Sequence, residues 1–121
     1  MSWNITSAVQ HLDSHAGSES LGRCAEFTSR AIGAGGLSIT GRESAKDFGP
    51  SLLAAGFHEV PSDGLYKKGD VVVIQGIPGH LHGHMAMFDG DQWVSDFKQR
   101  SLYPGEGYRH AMPSYVVYRH D

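Results

Sequence analysis

At 121 residues the chain is one domain, long enough for a core of its own and too short for two. Its 40% hydrophobic and 19% charged content excludes wholesale disorder, and a net charge of −3 gives no pull toward the backbone of nucleic acid. No apolar run approaches the ~20 residues that cross a bilayer, and Met1-Ser2-Trp3-Asn4-Ile5-Thr6 lacks the basic start and apolar centre of a signal peptide.

The first predicted element is a helix over residues 4–13, where Ile5, Ala8, Val9 and Leu12 recur at helical spacing and Asn4 or Thr6 can cap. A Ser-, Gly- and His-rich loop, 14–22, leads to a second helix over Cys24–Ala34, in which Cys24, Phe27 and Ala31 share a face. Gly33, Gly35 and Gly36 end it. Ala45, Phe48, Leu52 and Ala55 predict a third helix over 44–55, and Pro50 requires either a kink or a fresh start after Phe48-Gly49. Residues 57–60 predict a short strand. The β-branched run Val71-Val72-Val73-Ile74 predicts a strand buried on both faces. Residues 84–88 and 92–97 then predict a hairpin around Asp89-Gly90-Asp91. Residues 103–108 read as a loop, and 114–119 as a last strand closing the sheet. Helices come first and strands second, which predicts an α+β fold with an antiparallel sheet.

The single cysteine excludes an internal disulfide and a cysteine-based zinc site. A free cysteine is ordinarily a small buried hydrophobe. Cys24, however, falls where the second helix begins, just after Gly22-Arg23, and a helix start stabilises a thiolate and offers N–H groups to an oxyanion. A thiol nucleophile needs a base and a group to orient that base. His84 opens one strand of the hairpin and Asp96 lies on the next. A three-residue loop places them directly opposite, with Cβ atoms about 5 Å apart. A two-residue loop places Ser95 there instead. His80, His82 and His84 also alternate as zinc-binding histidines can, although Gly79 and Gly83 argue for a loop at this point. The remaining histidines, His11, His15, His58, His110 and His120, are scattered among polar neighbours.

Cys24-Ala25-Glu26-Phe27 opening a helix, Lys68-Gly69-Asp70-Val71-Val72, Gly83-His84-Met85-Ala86-Met87-Phe88-Asp89-Gly90 and Trp93-Val94-Ser95-Asp96 together resemble the papain-like cell-wall amidases. These are the NlpC-type peptidases and the CHAP (cysteine, histidine-dependent amidohydrolase/peptidase) domains. The Asp-Cys-Ser-Gly signature of many NlpC-type enzymes is absent, and no tyrosine stands ahead of Cys24. Within that group, the small size and the Ser95-Asp96 pair look most like type VI secretion amidase effectors.

The resemblance implies a papain-like fold, with N-terminal helices packed on an antiparallel sheet and one catalytic domain over 1–121. It implies Cys24 as nucleophile, His84 as base and Asp96 as orienting group, with no cofactor and no metal. The expected substrate is the peptidoglycan stem peptide, and the expected partner is a cognate immunity protein. Export by a dedicated secretion system to the periplasm of a target cell, without membrane insertion, is also expected. Position alone nominates Arg23, Ser44, Asp47, Gln75, His82 and Lys98 for the groove wall. The rival readings are a phage-type lysis hydrolase, a papain-like toxin acting on a cytosolic protein, and a His-rich metal-binding or interaction module with an inert Cys24.

Overall fold

The computed structural model describes residues 3–17, 22–41 and 44–121. Helix α1 runs Ile5–His15. The Asn4 side chain accepts the Ser7 N–H at 2.9 Å, and Ala8, Val9 and Leu12 are buried, so the helical spacing and the cap are both realised. Helix α2 is Cys24–Ala34, with Thr28, Ala31 and Ile32 buried against the rest of the chain. It ends where Gly36, at φ +97°, adopts a backbone conformation that favours glycine.

The single helix expected over 44–55 is instead a 3-10 turn at Ala45–Asp47 followed by helix α3, Gly49–Ala54. Pro50 has no N–H to continue the first turn and its ring would clash with the preceding one, so it sits in the opening turn of a new helix.

Strands β1 (His58–Val60), β2 (Val71–Ile74), β3 (His84–Phe88), β4 (Trp93–Val94) and β5 (Tyr115–Arg119) form one antiparallel sheet in the order β1-β5-β2-β3-β4. The α+β fold, with N-terminal helices against an antiparallel sheet, is therefore the observed one. The last strand does not close the sheet but lies inside it, pairing Val117 with both Val60 and Val72. Residues 103–108 are not all loop, because helix α4 spans Glu106–Ala111.

The two sides of the central strands explain why β2 is apolar throughout. Val71, Val73, Met85 and Met87 pack in one core with Ala8, Leu12, Ile32, Phe48 and Leu52 from the helices. Val72, Ile74, Ala86 and Val117 face the other way, into a second core with Ile77, Trp93 and Tyr108.

The β3–β4 connection departs from the expected three-residue loop. Asp89 Oδ1 accepts the N–H groups of Asp91 (2.8 Å) and Gln92 (2.7 Å), an Asx turn that removes Gln92 from the ladder. Phe88 therefore pairs with Trp93 and Met87 with Val94, where the strand stops. His84 and Asp96 are not opposed across the ladder, because no ladder extends that far.

Asp70, fully buried just ahead of β2, receives two bonds of 2.8 Å from the Arg119 guanidinium on β5 and the Lys67 N–H at 2.8 Å. Removing Arg119 strands a buried carboxylate. Arg119→Ala is expected to lower unfolding free energy by about 3 kcal/mol in urea denaturation, with the m-value unchanged.

Candidate active site

The site forms where the sheet leaves an edge open. Since β4 ends at Val94, the start of β3 has no strand beside it on that flank. Helix α2 covers it: Thr28 Oγ1 donates to the Met85 carbonyl at 3.4 Å, and the Met85 N–H points at the Cys24 sulfur. The residue next to His84 in sequence thus holds the helix that carries the cysteine. Gly83, at φ +73°, lets the chain enter β3 close against the end of β2 and the 3-10 turn, since a Cβ there would lie 2.3 Å from the Ile74 carbonyl oxygen and 2.8 Å from Lys46 Cβ.

Cys24 is half-buried at the first position of α2 and opens with His84 into one cavity of about 880 Å³. Burial pushes the Cys24 thiol up to about 11. The Met85 N–H pulls it the other way, the Asp96 charge adds to the rise, and the N–H groups of Ala25 and Cys24 itself pull it down again. His84 is buried, and burial lowers its pKa below the usual 6.5 despite the Gln99 side chain and the Asp96 charge, which act in the opposite sense. At neutral pH the pair is a thiol and a neutral imidazole.

The ring partner of His84 is a residue that the sequence patterns do not single out. His84 Nε2 lies 2.7 Å from Gln99 Oε1. The Gln99 amide is held the right way round by its own Nε2, which donates to the carbonyls of Ser101 (3.0 Å) and Leu102 (3.2 Å). The imidazole Nε2–H therefore donates to Gln99, and Nδ1 keeps its lone pair. Asp96, fully buried, does something else. Its Oδ2 accepts the Arg23 N–H at 2.9 Å, at the N-cap of α2, and its Oδ1 accepts the Ser95 hydroxyl at 3.1 Å. Its charge is felt by both Cys24 and His84, but the bond at His84 Nε2 is made by Gln99. Ser95 does not make that bond either.

Tyr108, on α4, also escaped the sequence reading, because its segment looked like a loop. Its ring lies 6.1 Å from that of His84 and 5.6 Å from that of His80, centroid to centroid. The side chain lines the cavity, is 5% exposed, and among the described residues its hydroxyl has no hydrogen-bond partner. Burial, then the Cys24 charge, pushes its pKa up to about 12, so it remains a donor.

Of the residues nominated for the groove wall, Arg23 and His82 line the cavity. Ser44 lies beneath, its hydroxyl bonded to His82 Nδ1. Asp47, Gln75 and Lys98 are exposed and outside the lining. The Gln75 N–H is bound to the Ser114 carbonyl and Lys98 bridges to Val94, so both backbones are committed to other neighbours. The three histidines diverge rather than converge: His80 packs on Tyr108, His82 bonds Ser44, and His84 bonds Gln99. Among the described residues no group of three or more His, Cys, Asp or Glu is placed to hold a metal ion.

With the thiol raised to about 11, alkylation of native Cys24 by iodoacetamide is expected to be slower than that of a free thiol near pH ~7. It should climb steeply above pH ~9, followed by intact mass. A rate already at its plateau near neutral pH would show that the thiolate is pre-formed.

No protein-family model matches the chain, and no curated protein sequence does. Among solved structures it is similar to the type VI native effector–immunity complex Tae3–Tai3 from Ralstonia pickettii. The TM-score is 0.94 and the identity 52%, over 98% of this chain and 100% of that one. The selenomethionine form of that complex matches with a TM-score of 0.88 and 55% identity, over 93% and 98% of the two chains. Ly7917 matches with a TM-score of 0.57 at 20% identity, over 97% of this chain and 62% of that one, a likeness of fold alone. An identity of 52% over the whole length of both chains is a family relationship, and the chain belongs to the Tae3 family of type VI effectors.

Proposed function

We propose that the chain is a cysteine-dependent amidase or endopeptidase that hydrolyses amide bonds in peptidoglycan stem peptides, delivered into rival cells as an antibacterial effector. The observation that carries this reading is the pairing within one cavity of Cys24, at the start of α2, with His84, whose Nε2–H is held by Gln99. Membership of the Tae3 family supports the effector role and the route into target cells. The two matched crystals hold Tae3 with Tai3, which supports a cognate immunity partner for this chain as well.

In this mechanism Cys24 attacks the amide carbonyl as His84 Nδ1 takes its proton. Sulfur gains the acyl carbon, and the imidazolium returns the proton to the leaving amine. Water then attacks the thioester, its proton again passing through Nδ1, and the carboxylate departs. The low pKa of buried His84 keeps the base unprotonated at neutral pH, and attack makes the thiolate only when it is needed. Gln99 orients the base without adding charge. N–H groups at the start of α2 and the Tyr108 hydroxyl are the donors available to the oxyanion. Asp96 acts by holding the helix start in place.

Cys24→Ala and His84→Ala are each expected to reduce muropeptide hydrolysis by about 10³-fold or more, with circular dichroism unchanged. Tyr108→Phe should lower kcat by about 10²-fold with little change in KM. The assay is mass analysis of digested muropeptides. Toxicity of wild type sent to the periplasm, but not of Cys24→Ala, tests the compartment. Killing only from the cytosol would favour the rival substrate, a cytosolic protein.

Activity depends on neutral His84, so kcat/KM falls as pH drops through its pKa. Because burial holds that value below 6.5, the acid limb should lie below pH 6.5.

A further inference from the structure

Helix α4 buries one side chain. Of its six residues only Tyr108 is buried, and its ring joins the second core beside Ile77. Gly107 brings the helix close to that core, since a Cβ there would lie 3.4 Å from Ile77 Cδ1. Among the described residues no hydrogen bond fixes the Tyr108 hydroxyl, so its direction depends on what packs against the ring. Two imidazoles lining the same cavity do so: His84, with planes at 57°, and His80, more nearly parallel at 36° and closer. A charge on Cys24 adds to the rise in the phenol pKa, after burial, which places the hydroxyl near the sulfur.

Each imidazole is itself held, by different means. Gln99 holds the His84 ring. His80 ends the turn Ile77-Pro78-Gly79-His80, in which its N–H donates to the Ile77 carbonyl at 2.9 Å and the Ile77 N–H to its carbonyl at 3.1 Å. Proline followed by Gly79 at φ +88° is the order of a type II turn. Buried Ile77 anchors this turn in the core that holds Tyr108, and the Gly83 N–H adds a bond of 3.2 Å to the His80 carbonyl. The His80 ring is exposed, and among the described residues its nitrogens make no hydrogen bond. A charge on it would lower the pKa of His84 and so work against the base. The backbone thus fixes a ring whose use here is packing rather than proton transfer.

Building on the reading of the site as a thiol amidase with Tyr108 as an oxyanion donor, we infer that His80 is a positioning residue. Its ring, set by the Pro78-Gly79 turn, clamps the Tyr108 ring against His84 and keeps the phenol hydroxyl directed at the Cys24 thiol. The hydroxyl lies at the far end of the ring, so a small rotation about the side-chain bonds carries it out of reach of an oxyanion formed at Cys24. Substrate contacts elsewhere in the cavity are untouched by that rotation. Loss of the clamp is therefore felt in the chemical step and not in binding.

The test measures muropeptide hydrolysis, and amide hydrogen exchange over residues 105–112 by mass analysis, on one set of variants. His80→Ala should lower kcat about tenfold with KM changed by less than about twofold. His80→Phe, which keeps a flat ring and no nitrogen, should retain the wild-type kcat. His80→Asn, which keeps a polar group and no ring, should behave as His80→Ala does. In a Tyr108→Phe background His80→Ala should lower kcat no further. Exchange in α4 should quicken about tenfold in His80→Ala and not in His80→Phe. Rescue by Asn instead of Phe, or a His80→Ala loss that persists undiminished beside Tyr108→Phe, would overturn the clamp in favour of a polar role. Unchanged α4 exchange in His80→Ala would overturn it whether or not wild type is active. No cleavage of muropeptide by wild type would instead sink the amidase reading.

Discussion

The main chain of Met85 is where the molecule is joined. Its carbonyl receives Thr28 from α2, and its N–H faces the sulfur of Cys24. Both bonds exist because β4 is two residues long and leaves the opening of β3 unpaired. An open strand edge is usually a hazard to be covered, and here the cover is the helix that carries the thiol. The placement of His84, one residue earlier on the same strand, follows. Its ring is held on the face shared with Tyr108, while the main chain beside it grips α2.

A charge and an amide divide work that one residue was expected to do. Asp96 is buried with its carboxylate on the Arg23 N–H, a strong way to fix a helix start, since it answers an otherwise unpaired donor with an ion. Burial first, and the same charge in smaller part, raises the thiol against the pull of the Met85, Ala25 and Cys24 N–H groups. Gln99 orients the imidazole with a neutral acceptor. Anchoring and orienting are thereby separated, and the resting site stays uncharged between Cys24 and His84.

Much of this was legible in the chain itself. Period-3.6 spacing in residues 4–13 and 24–34 gave α1 and α2 their ranges to within a residue or two, and Val71–Ile74 could only be a strand buried on both sides. Cys24 and His84 were marked by position, one opening a helix after glycine and the other opening a strand after glycine. What could not be read was the path after Trp93. Register depends on loop length, and the Asp89 side chain lengthened the loop by one residue through two hydrogen bonds that no periodicity encodes. Gln99 carries no motif. It reaches His84 only because the chain doubles back, with the Gln99 N–H on the Trp93 carbonyl at 2.8 Å.

Sequence by itself therefore determined α1, α2, β2 and the fold class, and put Cys24 at a helix start and His84 at a strand start, because local spacing, capping and turn chemistry act over a few residues. Tertiary structure alone decided what holds the His84 ring, what pins the start of α2 and what shares the cavity with the Cys24 thiol. Gln99, Asp96 and Tyr108 come from segments of irregular backbone or a one-and-a-half-turn helix. Their roles are set by long-range packing against β3, and that packing leaves no period in the chain.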